Sequence, residues 1–179
     1  ILPGGIIIDA KSGITGAGRS AKQANLFSEI DGGISAYGIA SHRHAPEIEQ
    51  SLGWAAKDNV VVTFTPHLIP MNRGILSTIY VKHSAEHNVA DMRRVLEHTY
   101  KHEPFVSILP EGIVPSTHQV RGTNNCLMNI IADRVAGQAI IVSVIDNLVK
   151  GAAGQAVQNM NVLFSWPETT ALEMTAVFP

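Results

Sequence analysis

Apolar positions open the chain with Ile6-Ile7-Ile8, a run that predicts a buried strand over residues 6–10. Residues 12–38 are rich in Gly and Ser and carry turn chemistry throughout, so they predict a long irregular segment, usually functional or poorly ordered in a compact domain. Pro46 suits a first helical turn, and Ile48, Leu52 and Ala55 or Ala56 follow at helical spacing, predicting a helix over 47–56. Residues 60–65 and 75–82 are apolar or alternating and β-branched; with a turn over 66–74 they predict two antiparallel strands.

Asn88 fits an N-cap with Asp91 in the first turn, and Val89, Met92, Val95, Leu96 and Tyr100 mark one face of a helix ending before Pro104. Strands are predicted over 105–109, 127–135 and 138–145, the last two joined at Ala136-Gly137. Asp146 or Asn147 then caps a final helix through Leu148, Ala152, Ala156, Met160 and Leu163, and residues 172–178 predict a closing strand. Without steady β-α-β alternation, the class is α+β with a mostly antiparallel or mixed sheet and helices packed on it.

A length of 179 residues fits one domain, here 1–179. A net charge of −2 gives no field that would draw nucleic acid or an anionic membrane, so neither is an expected partner. The longest apolar runs fall far short of the roughly 20 residues that span a bilayer, and no basic-then-apolar leader opens the chain. One cysteine, Cys126, excludes an internal disulfide and a Cys-based zinc framework. A soluble, cytoplasmic protein is expected. The chain opens Ile1-Leu2-Pro3 without Met, as expected of a piece starting partway through a longer protein.

Gly16-Ala17-Gly18-Arg19-Ser20-Ala21 matches a dinucleotide fingerprint, but strand and acidic residue are not where such a fingerprint needs them. A Gly-rich loop whose amides or Arg19 face an anion is the alternative. His42-Arg43-His44-Ala45-Pro46-Glu47 is the most chemically loaded stretch. A carboxylate bonded to an imidazole fixes its tautomer and stabilises its cation, as in catalytic bases, whereas a helix-entry loop with solvated histidines is the plainer reading. His98 and His102 stand at ligand spacing but off the apolar helix face, and Cys126 reads as a small buried apolar group. The small residues after Lys150-Gly151 permit close backbone approach, and the first turn of that helix suits an anion.

Four separated segments, in order, resemble N-acetyl-gamma-glutamyl-phosphate reductases: Ser12-Gly13-Ile14-Thr15-Gly16-Ala17-Gly18-Arg19, His42-Arg43-His44-Ala45-Pro46-Glu47-Ile48, Phe64-Thr65-Pro66-His67 through Asn72-Arg73-Gly74-Ile75, and Asp146-Asn147-Leu148-Val149-Lys150-Gly151 onward. The resemblance implies the C-terminal substrate-binding and dimerisation half of an NADP-dependent enzyme, with the fold of the same half of glyceraldehyde-3-phosphate dehydrogenase-like proteins. Its reaction is reductive dephosphorylation of N-acetylglutamyl 5-phosphate to the semialdehyde, in arginine biosynthesis. By matching position, His44 is the general base toward a nucleophilic cysteine, Glu47 its ion-pair partner and His42 a substrate-orienting donor. Ser12, Gly13 and Arg19 are implied to bind substrate, and Asn147, Lys150 and Gly151 to border the nicotinamide end of NADP.

The family's cysteine lies in a Pro-Gly-Cys-Tyr or Phe type of motif, which this sequence does not contain, and Cys126 is in a different context. With the Rossmann domain also expected elsewhere, the chain by itself should not turn over. A free-standing binding or assembly domain is the other reading. The apolar strands at 60–65, 127–135 and 138–145 leave two apolar sheet faces to cover, which predicts a homo-oligomer, dimer or tetramer, joined through the sheet.

Overall fold

The computed structural model describes residues 1–18, 22, 23 and 26–177. Among the described residues seven strands form one mixed sheet: β1 (Ile6–Gly13), β2 (Ser35–Ala36), β3 (Val62–Ile69), β4 (Ile75–Lys82), β5 (Val106–Ile108), β6 (Cys126–Ala132) and β7 (Gln138–Ile145). Their order across the sheet is β2-β3-β1-β4-β7-β6-β5. Pairing is parallel for β1 with β3 and β5 with β6, and antiparallel for the rest.

The α-helices among the described residues are α1 (Phe27–Ile30), α2 (Ala45–Ala56), α3 (Val89–Thr99) and α4 (Gly154–Leu163). A parallel pair requires a long crossover, and α2 lies within the one joining β1 to β3. Ile6, Ile8, Val62, Val81, Ile130 and Ala139 bury one sheet face, onto which α2 sets Ile48 and Leu52 and α3 sets Val89, Met92 and Leu96. Burying one such aliphatic side chain contributes about 1.5–3 kcal/mol, so this layer is the main cohesive element. Asn88 caps α3: its side chain accepts from Asp91 N–H at 3.0 Å while Asp91 accepts from Asn88 N–H at 2.9 Å.

Several expected elements differ. Strands 60–65 and 75–82 run in opposite directions but are not partners, because β1 lies between them. Nor is Pro66 in a turn: β3 continues through it to Ile69. Proline is tolerated there because it has no N–H to commit and its carbonyl still accepts from Tyr37 N–H at 3.0 Å, near the sheet edge. β1 extends three residues beyond the expected end, into the Gly-rich segment. The segment 172–177 forms no strand; Leu172 is buried as a plug while its N–H donates to Thr169 C=O at 2.9 Å, and Phe178 lies outside the described residues.

Candidate functional site

β1 ends at Ser12 and Gly13, packed against the turn that joins β3 to β4. Gly13 N–H donates to Gly74 C=O at 2.8 Å and Ile14 N–H to Met71 C=O at 2.9 Å. A Cβ on Gly13 would come within 2.8 Å of the Met71 carbonyl oxygen, so only glycine lets the two backbones approach this closely. Ser12 is buried, its hydroxyl donating to Gly13 C=O at 3.2 Å.

Tyr37, just after β2, brings its phenol toward that hydroxyl. Burial pushes the Tyr37 pKa above its ordinary value, and Ser12 opposes the shift. The Tyr37 ring stands edge-on to His42, with centroids 5.5 Å apart; His42 in turn meets Phe64 at 5.2 Å and His44 at 4.8 Å. Nδ1 of His42 accepts from the His44 backbone N–H at 3.2 Å. Desolvation, then the charges of His44 and Arg43, lowers the His42 pKa, so its imidazole is held neutral with Nε2–H available as a donor.

Of these residues, His42, Arg43 and Phe64 line a cleft of about 520 Å³ between the start of α2 and β3, together with Ser41 and Glu49 among others. That volume suits a small metabolite. The N-terminal end of α2 and the Arg43 guanidinium favour an anionic one. Thus Ser12, distant in sequence from His42 and His44, falls in one region with them, joined by Tyr37, which the sequence does not single out because only the β2–β3 pairing carries it there. His44 and Glu47 flank the helix start, but the His44 ring makes no hydrogen bond or ion pair with the Glu47 carboxylate, and both residues are exposed. Arg19 lies outside the described residues.

Asn147, Lys150 and Gly151 are spent internally. The Asn147 carboxamide donates to Thr15 Oγ1 at 2.9 Å and accepts from Gly74 N–H at 2.8 Å. Lys150 Nζ donates to Gln158 Oε1 at 2.7 Å, and burial lowers its pKa. Gly151 N–H donates to Asp146 C=O at 2.9 Å. Asp146, fully buried, accepts from Gly122, Leu148 and Val149 N–H and pairs with Arg73; it thus holds the entry to the last helical segment, whose N-cap position is Leu148 and which begins as a wide turn over Val149–Ala153 before α4.

Cys126 is a half-buried strand residue whose Sγ lies 3.5 Å from Ser143 Oγ; burial pushes the thiol up, away from nucleophilic character. Among the described residues no group of His, Cys, Asp and Glu could hold a metal ion, and no helix is long and apolar enough to cross a membrane.

A family model described as "Semialdehyde dehydrogenase, dimerisation domain" matches residues 1–147. The chain is 57% identical over 174 residues to a protein of Arabidopsis thaliana named probable N-acetyl-gamma-glutamyl-phosphate reductase, chloroplastic, covering 97% of this chain and 43% of that one. It is 54% identical to N-acetyl-gamma-glutamyl-phosphate reductase of Rhodospirillum rubrum, covering 100% of this chain and 51% of that one. The chain thus spans about half the length of the curated relatives it matches. In fold it is similar to aspartate semialdehyde dehydrogenase II of Vibrio cholerae, with a TM-score of 0.68 at 16% identity over 89% of this chain and 54% of that one.

Proposed function

The chain belongs to the semialdehyde dehydrogenase dimerisation-domain family, and on that footing we propose that it is the substrate-binding and dimerising half of an NADPH-dependent reductase that converts N-acetylglutamyl 5-phosphate to N-acetylglutamate 5-semialdehyde and phosphate, in arginine biosynthesis. The observation that carries this reading is the chain of contacts from Ser12 through Tyr37 to His42, with His44 against it, where His42 and Arg43 line a cleft at the start of α2. The nucleophilic cysteine and the grip on the dinucleotide belong to the remainder of such a reductase.

In this reading His44 takes the proton of the cysteine thiol, the thiolate adds to the acyl carbon, and phosphate departs to leave a thioester. Glu47, free on the helix surface, reaches the His44 ring by a rotamer change as the site assembles, and stabilises the imidazolium. Neutral His42 donates from Nε2 to a substrate oxygen, while Ser12 and Gly13 line the same position and Arg19 answers a negative charge. Arg43 and the α2 terminus favour the acidic substrate. The cytoplasm, or a plastid as in the plant relative's name, provides the reducing surroundings that such a thiol needs.

The test is His44→Ala in the full-length reductase carrying this domain. kcat should fall by roughly 10²- to 10⁴-fold, the usual range for loss of a general base. An unchanged kcat would remove His44 from the chemistry.

A further inference from the structure

We propose that the main-chain N–H and C=O of Phe64 form a subsite for the N-acylated α-amino-acid end of the substrate, which lies along the edge of β3 as a strand of one residue. The inference rests on the reductase reading above and names the part of that substrate which the cleft takes.

Two contacts fix which way the peptide groups of β3 point. Val62 N–H donates to Glu49 Oε1 at 3.1 Å, and Pro66 C=O accepts from Tyr37 N–H at 3.0 Å, both on the side away from β1. Successive residues of a strand turn their groups to alternate edges, and the register with β1 runs unbroken from Val62 to Ile69. Phe64, midway between Val62 and Pro66, therefore turns its N–H and C=O to the outer edge as well. β2 pairs Ser35 with Leu68 and Ala36 with His67, and the same register continued would set Ile39 opposite Phe64. It does not continue. Gly38 has φ +56° and Ala40 φ +55°, values that no strand holds and that alanine adopts only where its surroundings impose them. Ile39 is turned out to 63% exposure, and among the described residues the Phe64 N–H and C=O have no hydrogen-bond partner.

Main-chain groups left unpaired at a strand edge accept another extended chain. Here Glu49 closes the stretch at Val62 and Tyr37 closes it at Pro66, so it admits one residue and not a polypeptide strand. An extended N-acylamino acid turns its amide N–H and its α-carboxylate to the same side, the complement of Phe64. The amide N–H donates to Phe64 C=O, and one carboxylate oxygen accepts from Phe64 N–H. The second oxygen meets the Arg43 guanidinium, which lines the same cleft and has no ion pair among the described residues. Residues paired directly across a ladder share a face. The ligand's side chain thus stands beside the Phe64 ring, whose centroid is 5.2 Å from that of His42, and carries the reacting carbon toward His42 and His44.

Three small probes separate these contacts. N-acetylglycine carries both groups, N-acetylsarcosine lacks the N–H, and N-acetylglycinamide lacks the charge. Thr63-Phe64 is the only Thr-Phe step in the 179-residue sequence, so carbon-13 at the Thr carbonyl with nitrogen-15 at Phe singles out the Phe64 amide. In this chain N-acetylglycine should move that resonance saturably and slow its hydrogen exchange. In the full-length reductase it should inhibit competitively against the acyl phosphate, with N-acetylsarcosine weaker by about three- to ten-fold, the scale of one hydrogen bond. Arg43→Gln should weaken N-acetylglycine by about ten-fold or more and N-acetylglycinamide by less than about twofold.

A Phe64 amide that stays in place while N-acetylglycine inhibits puts the ligand elsewhere and overturns the subsite, as does equal inhibition by N-acetylsarcosine. So does N-acetylglycine that neither inhibits nor moves the resonance. Slow exchange of the Phe64 amide in the ligand-free chain would show that protein, such as a second copy, already holds the edge, and this too overturns it. Should the parental enzyme fail to use the acyl phosphate at all, the proposed function falls, and the Phe64 resonance still decides the subsite.

Discussion

His42 and His44 stand edge to face with ring centroids 4.8 Å apart, and the backbone N–H of His44 donates to Nδ1 of His42. A ring nitrogen that accepts a hydrogen bond cannot carry a proton, so this contact fixes the His42 tautomer at Nε2–H. It also opposes formation of the imidazolium, in the same direction as the desolvation and the neighbouring charges that lower the His42 pKa.

His42 should accordingly titrate below the ordinary histidine value of 6.5. Because the folded pKa is depressed, the unfolded chain takes up the proton first as pH falls, so this group costs the fold stability below 6.5 and nothing above it. Nitrogen-15 NMR of the imidazoles reads both claims. A midpoint at or above 6.5, or a neutral form protonated at Nδ1, would contradict the geometry.

Asp146 is the most heavily used buried acid, with Arg73 and three backbone amides on one carboxylate. Asp146→Ala leaves those amides without partners and should cost about 3 kcal/mol or more. Urea unfolding measures it; a loss under about 1 kcal/mol would mean that the network relaxes onto water.

Gly154 opens α4, where Ala would ordinarily favour the helix by about 1 kcal/mol. A Cβ there would come within 2.4 Å of Asn124 Oδ1 and 2.6 Å of Val149 Cγ1, both held in a packed neighbourhood. Overpacking on that scale costs about 1–3 kcal/mol, so Gly154→Ala should lower Tm. A rise in Tm would show that Asn124 moves aside freely.

Both α2 and α3 lie on one sheet face, and by register Ile7, Leu76, Tyr80 and Ile140 share the other. Ile7 is 44% exposed on a central strand, where a second subunit would cover it. Sedimentation at micromolar concentration should give about twice the 19.2 kDa chain mass, and Ile7→Lys should shift it toward monomer. A monomer in the parental chain would leave this face without its expected role.

Local periodicity is enough to read the α+β class, the extent of β7 and the capped start of α3, because each depends on neighbours a few residues away. The four motifs are enough to place the family. The insertion of β1 between β3 and β4 is not legible, since strand order depends on which surfaces find one another after the crossover. Pro66 reads as a turn residue in the sequence because the partner of its carbonyl, Tyr37, is far off along the chain. In the site, the sequence marks Ser12, His42 and His44, but it cannot show that Tyr37 joins them, nor that the His44 ring and the Glu47 carboxylate stand apart. Asn147 shows the same division. Its residue type can be read as a ligand, while the use of its carboxamide on Thr15 and Gly74 is decided only when β7 brings it to them, because a hydrogen bond needs a partner that the tertiary fold places within reach and in line.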